Sequence, residues 1–280
     1  MTPEYRGEPL QHVAARLRLA IVQMIGPENR GHFGGSLSCA DILTALYFHA
    51  LRIDPADSGA PGRDRFVLSK GHASPALYAA LALRGFFAVT ELATLKNLGT
   101  RLQGHPDRAK LPFVDANTGS LGQGLSQAAG MALALRTDAP DARVFALLGD
   151  GELNEGQVWE AAMFAGAKAL GNLIAIVDRN GLQAMGPTCQ RLPYGDPRAM
   201  FASFGWDARE VDGHDTEALC TALDQSRNGT GRPQVFIART IKGKGVACAE
   251  NVVGFHNGLL THQQYEQTVA MLLQQTGGER

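Results

Sequence analysis

The chain lacks most of the features that would set it apart from an ordinary globular enzyme. None of its four cysteines (Cys39, Cys189, Cys220, Cys248) belongs to a C-x-x-C pair, so zinc-ligand spacing is absent. A chain of 280 residues can bury about 75% of its unfolded surface and needs no covalent staples, so the scattered cysteines read as free thiols. Long apolar runs are missing too. Val144–Leu148 and Leu173–Val177 are far shorter than the ~20 residues of a membrane span, and the N-terminus has no signal-type apolar core. The expectation is a soluble, cytoplasmic protein with no membrane partner. An excess of one charge is absent: 26 Lys and Arg against 27 Asp and Glu leave a net charge of −1. That excludes a strongly basic nucleic-acid binder. Hydrophobic residues at 45% and charged residues at 19% exclude a disordered chain. Glycine, in contrast, is abundant, at 33 residues or about 12% against a usual ~7%, without a collagen period.

Helical spacing marks Leu10–Ile25, closed by Gly26-Pro27, and Asp41–Leu51, with Ser38 as its expected cap. Arg65–Leu68 reads as a strand and Pro75–Arg84 as a helix ended by Gly85. Thr90 opens a further helix with an incomplete capping box, since Ala93 stands at its third position. Residues 99–118 read as loop and Gly122–Leu135 as a helix of small residues. A regular alternation follows, with strands at Val144–Leu148, Leu173–Val177, Ala208–Val211 and Gln234–Arg239. The helices between and after them are Gly156–Ala169, Asp196–Phe204, Thr216–Ser226 and Tyr265–Gln275. Short apolar strands alternating with helices predict a doubly wound, mostly parallel α/β sheet with helices on both faces. No repeat or linker divides it, so residues 1–280 form one expected domain, with a helical, histidine-loop region over about 1–115.

Val144–Leu148 runs into Gly149-Asp150-Gly151, and Leu173–Val177 runs into Asp178-Arg179-Asn180. Asp150 and Asn180 are one βαβ unit apart, which puts both beyond the carboxyl ends of their strands, at the same sheet edge. Adjacent strands lie about 4.8 Å apart, so both oxygens can reach one point. A carboxylate and an amide oxygen suit Mg²⁺, or Ca²⁺ or Mn²⁺, rather than zinc. Gly149 and Gly151 allow backbone to approach a phosphate. The proposal is a metal-bridged diphosphate, against the plainer alternative of a tight turn. Four of the eight histidines (His32, His72, His105, His214) follow a glycine, where chance gives about one. Such imidazoles, shown from tight loops, can donate and accept near pH 7.

The stretch GDGELNEGQVWEAAMFAGAKALGNLIAIVDRNGLQ, with Asn180 after Gly149-Asp150-Gly151, resembles the thiamine diphosphate signature of the transketolase family. The resemblance covers about residues 10–267. It implies metal binding by Asp150, Asn180 and the carbonyl of Leu182; Gly181 stands where a second asparagine is common. Arg30-Gly31-His32-Phe33-Gly34-Gly35, Leu68-Ser69-Lys70-Gly71-His72-Ala73 and Gly104-His105-Pro106 resemble the family's three histidine loops. They imply that His32, His72 and His105 line the channel and contact sugar hydroxyls. Phe33 replaces a common proline. Thr118-Gly119-Ser120-Leu121-Gly122-Gln123-Gly124 resembles the loop under the cofactor, implying contacts from Gly119, Ser120 and Leu121. Glu155 and Glu160 match glutamates that link cofactor sites across the dimer, and Lys242 and His256 match residues reaching the diphosphate and active site. The implied catalytic group is His32, His72, His105, His256 and Glu155. His214 reads as structural, and Lys96 and Arg101 are candidates for the sugar phosphate. Gly31, Gly34, Gly35, Gly71, Gly104, Gly122, Gly124 and Gly181 are likewise expected to touch cofactor, metal or sugar.

The family's pyrimidine-binding domain, with its glutamate, has no counterpart before Arg280. The glutamine-rich end and Gly277-Gly278 read as a natural terminus. The expectation is therefore the N-terminal, diphosphate-binding subunit of a split transketolase. Its partner would supply the pyrimidine-binding and C-terminal domains in an α2β2 assembly acting on sugar phosphates. The alternatives are the α subunit of a thiamine diphosphate-dependent 2-oxo acid dehydrogenase, which is not expected to carry His32, His72, His105 and Lys242 together, and a silent diphosphate-binding regulatory subunit. Deoxyxylulose-phosphate synthase is disfavoured by the chain's length and by Glu155-Gly156.

Overall fold

A computed structural model describes residues 4–277 apart from residues 30 and 230; Arg30 of the first histidine loop and Gly278 at the expected terminus lie outside the described residues. Two short strands, β1 (Glu4–Tyr5) and β2 (Glu8–Pro9), pair antiparallel ahead of the main body. The central sheet holds β3 (Arg65–Leu68), β4 (Val144–Gly149), β5 (Leu173–Arg179), β8 (Asp207–Asp212) and β9 (Gln234–Arg239) in the order β3-β4-β5-β9-β8. Every pairing in it is parallel. Between β5 and β8, β6 (Leu182–Gln183) and β7 (Gly186–Pro187) make a small antiparallel pair beside the sheet.

Burial on both faces explains the unbroken apolar strands. Along β4 and β5, Phe145, Leu147, Ile174 and Ile176 enter one core, while Val144, Ala146, Leu148, Leu173, Ala175 and Val177 enter the other. The first core is covered by α1 (Leu10–Ile25), α2 (Phe33–Ser38), α3 (Ala40–Ala45), α4 (Ser74–Arg84), α9 (Thr216–Arg227) and α10 (His262–Gln275). The second is covered by α5 (Gln123–Asp138), α6 (Gly156–Ala167) and α8 (Pro197–Ser203). The four-residue α7 (Thr188–Arg191) stands outside both. The sheet is thus doubly wound, as the alternation of apolar segments implies.

Three local expectations are corrected. The second helix is not continuous over Asp41–Leu51: α3 gives way to a wider π turn at Leu46–Ala50. Ser38 does not cap it, because its hydroxyl reaches Asp178 Oδ2 at 2.5 Å and the Gly35 carbonyl at 3.2 Å. Thr90 begins no α-helix; Val89–Thr94 is a short 3-10 segment without a side-chain cap, consistent with the missing capping-box partner. All four cysteines are free. Among the described residues, no helix is long and apolar enough to cross a membrane.

Candidate active site

Register places the chemistry. Gly149 pairs with Asp178 at the ends of β4 and β5, so Asp150 and Asn180 leave the sheet side by side over its carboxyl edge. A cavity of about 300 Å³ opens there, lined by Asp150, Asn180, Leu182, His32, His72, His105, Lys242 and His256. Open α/β sheets bind ligands at this edge.

The Asp150 carboxylate is 2% exposed. Oδ1 accepts from the Gly151 N–H at 2.8 Å and Oδ2 from the Gly181 N–H at 2.6 Å. Among the described residues it has no ion-pair partner. Burial, then the charge of Asp178, pushes its pKa up to about 6. A buried carboxylate with spare lone pairs, no ion pair and only the more distant charge of Lys242 to oppose its own fits a divalent ion. Asn180 fits the same role. Its Nδ2 donates to Asp178 Oδ2 at 3.3 Å and its Oδ1 accepts from the Leu182 N–H at 3.1 Å, which fixes the amide oxygen's place. The Leu182 carbonyl accepts from Lys242 Nζ at 2.9 Å and keeps a second lone pair. The donors are all hard oxygens, and no group of three or more His, Cys, Asp or Glu suited to a metal occurs among the described residues; such a set favours Mg²⁺ over zinc.

Three histidines meet here from distant parts of the chain. Ring centroids are 4.9 Å apart for His32 and His72, 5.4 Å for His72 and His256, and 5.6 Å for His32 and His256. A two-bond bridge ties the segments: Gly31 N–H to Gly258 O at 3.2 Å, and Gly258 N–H to Gly31 O at 3.0 Å. Burial, then the positive charges of Lys96, His105 and Lys242, lowers the His32 pKa to about 4. Burial, then Lys242, lowers that of His256 to about 3, and burial with Lys70 pulls His72 well below its ordinary value. All three are neutral at pH 7 and can both donate and accept. His105 is exposed at the rim; its loop is held by Tyr78, whose hydroxyl donates to the Gln103 and His105 carbonyls at 2.9 and 3.1 Å. Lys242 Nζ also lies 2.9 Å from His256 Nδ1, and burial lowers its pKa to about 8 against the pull of Asp150 and Asp178.

Not every candidate reaches the cavity. Gly119, Leu121, Gly149 and Gly151 line it, but Ser120, Glu155 and Glu160 are exposed outside it. Arg101 is already committed to Glu91, with bonds of 2.6 and 3.0 Å. His214 is away from the cavity and bridges two segments: Nε2 accepts from the Ile241 N–H at 2.8 Å, and Nδ1 lies 2.7 Å from Asp41 Oδ2. Several glycines read as cofactor-facing serve packing between segments instead. A Cβ on Gly124 would fall 2.6 Å from Ser69 Cα, and one on Gly71 would fall 2.7 Å from the Gly119 nitrogen.

Sequence reasoning missed a buried ionic pair beneath the site. Lys70 Nζ lies 2.5 Å from Asp178 Oδ2 and donates to the Gly35 carbonyl at 2.7 Å. Asp178, 0% exposed, also accepts from Ser38 and Thr240. Burial alone would raise its pKa, but Lys70 and these donors hold it below the usual carboxylate range. The available signal was a charge at the carboxyl end of each buried strand, Lys70 two residues after β3 and Asp178 directly after the apolar run of β5.

These features define a parallel α/β domain whose carboxyl edge gathers hard oxygen donors beneath a cluster of histidines. The model of the transketolase thiamine diphosphate-binding domain matches residues 10–276. The chain is 45% identical over 263 residues to a 6-deoxy-6-sulfo-D-fructose transketolase subunit of Clostridium sp. (strain MSTE9), covering 94% of this chain and 96% of that one. It is 39% identical over 262 residues to an apulose-4-phosphate transketolase subunit of Phocaeicola vulgatus, covering 94% and 93%. The Pichia stipitis transketolase solved with sedoheptulose 7-phosphate superposes with a TM-score of 0.88 at 33% identity, over 96% of this chain and 41% of that one. The chain therefore spans about two fifths of that solved transketolase. It belongs to the transketolase family, as an N-terminal, thiamine diphosphate-binding subunit of transketolase-type transferase.

Proposed function

We propose that the chain is the diphosphate-holding half of a split transketolase. It would move a two-carbon ketol unit from a ketose phosphate to an aldose phosphate with thiamine diphosphate and Mg²⁺. The observation that carries this reading is the meeting of Asp150 and Asn180 with His32, His72 and His256 in one cavity. Asp150, Asn180 and the Leu182 carbonyl would hold the metal, and Lys242 would face the diphosphate. Ca²⁺ or Mn²⁺ would also suit these oxygens. When bound, the cofactor supplies the bond-breaking chemistry, and the protein supplies orientation and shelter from water. Neutral His32, His72 and His256 hydrogen-bond sugar hydroxyls and hold or pass a proton at their ring nitrogens. Lys242 and the histidines suit an anionic sugar, in keeping with the substrates named for the two relatives.

A second polypeptide would supply the pyrimidine-binding surface, in an α2β2 assembly. Glu155, Glu160 and Ser120, exposed beside the cavity, would face a neighbouring subunit. Four free cysteines suit the reducing cytoplasm. The test is calorimetric titration of the chain, with its partner present, using thiamine diphosphate with and without Mg²⁺. Metal-dependent binding supports the reading, and no binding refutes it. Carboxylate formation from pyruvate or a branched oxo acid would instead identify a 2-oxo acid dehydrogenase.

A further inference from the structure

Three separate segments converge on one carboxylate at the cavity wall. Glu152 is 1% exposed and lies two residues beyond Asp150. Its Oε1 accepts from the Ser69 hydroxyl at 2.5 Å and from the Gly122 N–H at 2.9 Å. Its Oε2 accepts from the Gly149 N–H at 3.1 Å. Ser69 follows β3, Gly122 precedes α5, and Gly149 ends β4. Gly122 has a φ of +85°, a backbone conformation that favours glycine, and so turns its N–H onto the carboxylate. The first turn of α5 lies directly on Ser69, where no Cβ fits at Gly124. The Glu152 carboxylate therefore occupies the amino end of α5, where the helix dipole favours an anion.

We propose that Glu152 is a positioning residue for the cofactor site. It fixes the spacing between the loop carrying Asp150 and the loop carrying Gly119 and Leu121, both of which line the cavity. A single rigid carboxylate with three charge-assisted bonds is suited to this. Gly149 N–H and Gly122 N–H are both consumed by Glu152, so neither is left to bind the diphosphate. Recognition of that group is left to the metal, to Lys242 and to the other donors that line the cavity, His72 and His256 among them. The role rests on the proposed function and sharpens it.

Glu152→Gln keeps the size of the side chain but turns an NH2 toward an N–H or hydroxyl donor. With the partner subunit present, thiamine diphosphate with Mg²⁺ should bind at least tenfold more weakly by calorimetry. The kcat at saturating cofactor should stay within about twofold, so the loss appears in the cofactor's KM. Val158→Ala is the control. It opens a cavity in the core beneath α6 and should lower the melting temperature while leaving cofactor affinity unchanged. Equal weakening by both variants, or Glu152→Gln affinity within twofold of wild type, overturns the role. If Glu152→Gln fails to fold, Ser69→Ala decides: about threefold weaker binding supports the role and unchanged binding overturns it. Wild-type protein that does not bind the cofactor refutes the proposed function, and this role with it; wild-type binding with an unaffected variant refutes this role alone.

Discussion

Replacing His32 by glutamine should flatten the acid side of the stability profile. In the folded chain His32 titrates near 4 because of burial, then Lys96, His105 and Lys242; in the unfolded chain it returns to about 6.5. As pH falls below about 6.5, the unfolded state takes up a proton that the folded state refuses. Stability is therefore lost from pH 6.5 downward, until the folded imidazole also titrates near pH 4. Between pH 7.5 and 5 the full effect would be roughly 2 kcal/mol, from 1.36 kcal/mol per pKa unit. His32 is only half-buried, and solvent screening reduces this to about 1 kcal/mol. Urea unfolding of wild type and His32→Gln at several pH values gives the comparison. His72 and His256 remain in both proteins, so the difference in slope reports His32 together with its coupling to those two rings. The variant should gain about 1 kcal/mol on wild type between pH 7.5 and 5. Parallel profiles would refute the claim that this imidazole is held neutral.

Lys70→Met should cost about 3–5 kcal/mol in urea unfolding, because it leaves Asp178 charged and buried; a loss below about 1 kcal/mol would show that Ser38, Thr240 and Asn180 satisfy Asp178 without the ammonium. Asp150→Ala should abolish Mg²⁺-dependent retention of thiamine diphosphate in calorimetry while the circular dichroism spectrum stays that of the folded chain. Retained affinity would remove Asp150 from the metal site. Gly124→Ala should destabilise by about 1–3 kcal/mol or more, since the new methyl meets the Ser69 backbone. A melting temperature equal to wild type would show that the α5–Ser69 contact yields freely.

The layers of this fold were legible because each strand is a short, two-sided apolar run, and those runs alternate with helical periods. The meeting of Asp150 with Asn180 was legible for a related reason. Asp150 and Asn180 are separated by one crossover, and a right-handed parallel crossover leaves little freedom in where its ends emerge. The weaker local signals failed where tertiary contacts competed. Ser38 has the right chemistry for a helix cap, but Asp178 lies within reach of its hydroxyl and claims it. The incomplete capping box after Thr90 was itself a sign that no stable helix would start there.

The glycine excess shows where the boundary lies. Composition located the loops that matter, but it could not separate a glycine that faces a cavity, such as Gly149, from one that lets α5 rest on Ser69, such as Gly124. The histidine cluster was likewise half visible. Each loop could be recognised along the chain, yet the meeting of His32 with His256 depends on the Gly31–Gly258 bridge between segments more than two hundred residues apart. The same holds for Glu152, which resembles any acidic residue at a helix start until Ser69, Gly122 and Gly149 are brought around it. Short-range periodicity and one local crossover were enough to specify the sheet, its edge and the meeting of Asp150 with Asn180 there. Which charges are buried, which histidines touch and which carboxylate joins the loops emerged only once the chain was folded. Those outcomes are set by packing between distant segments, and no local pattern encodes them.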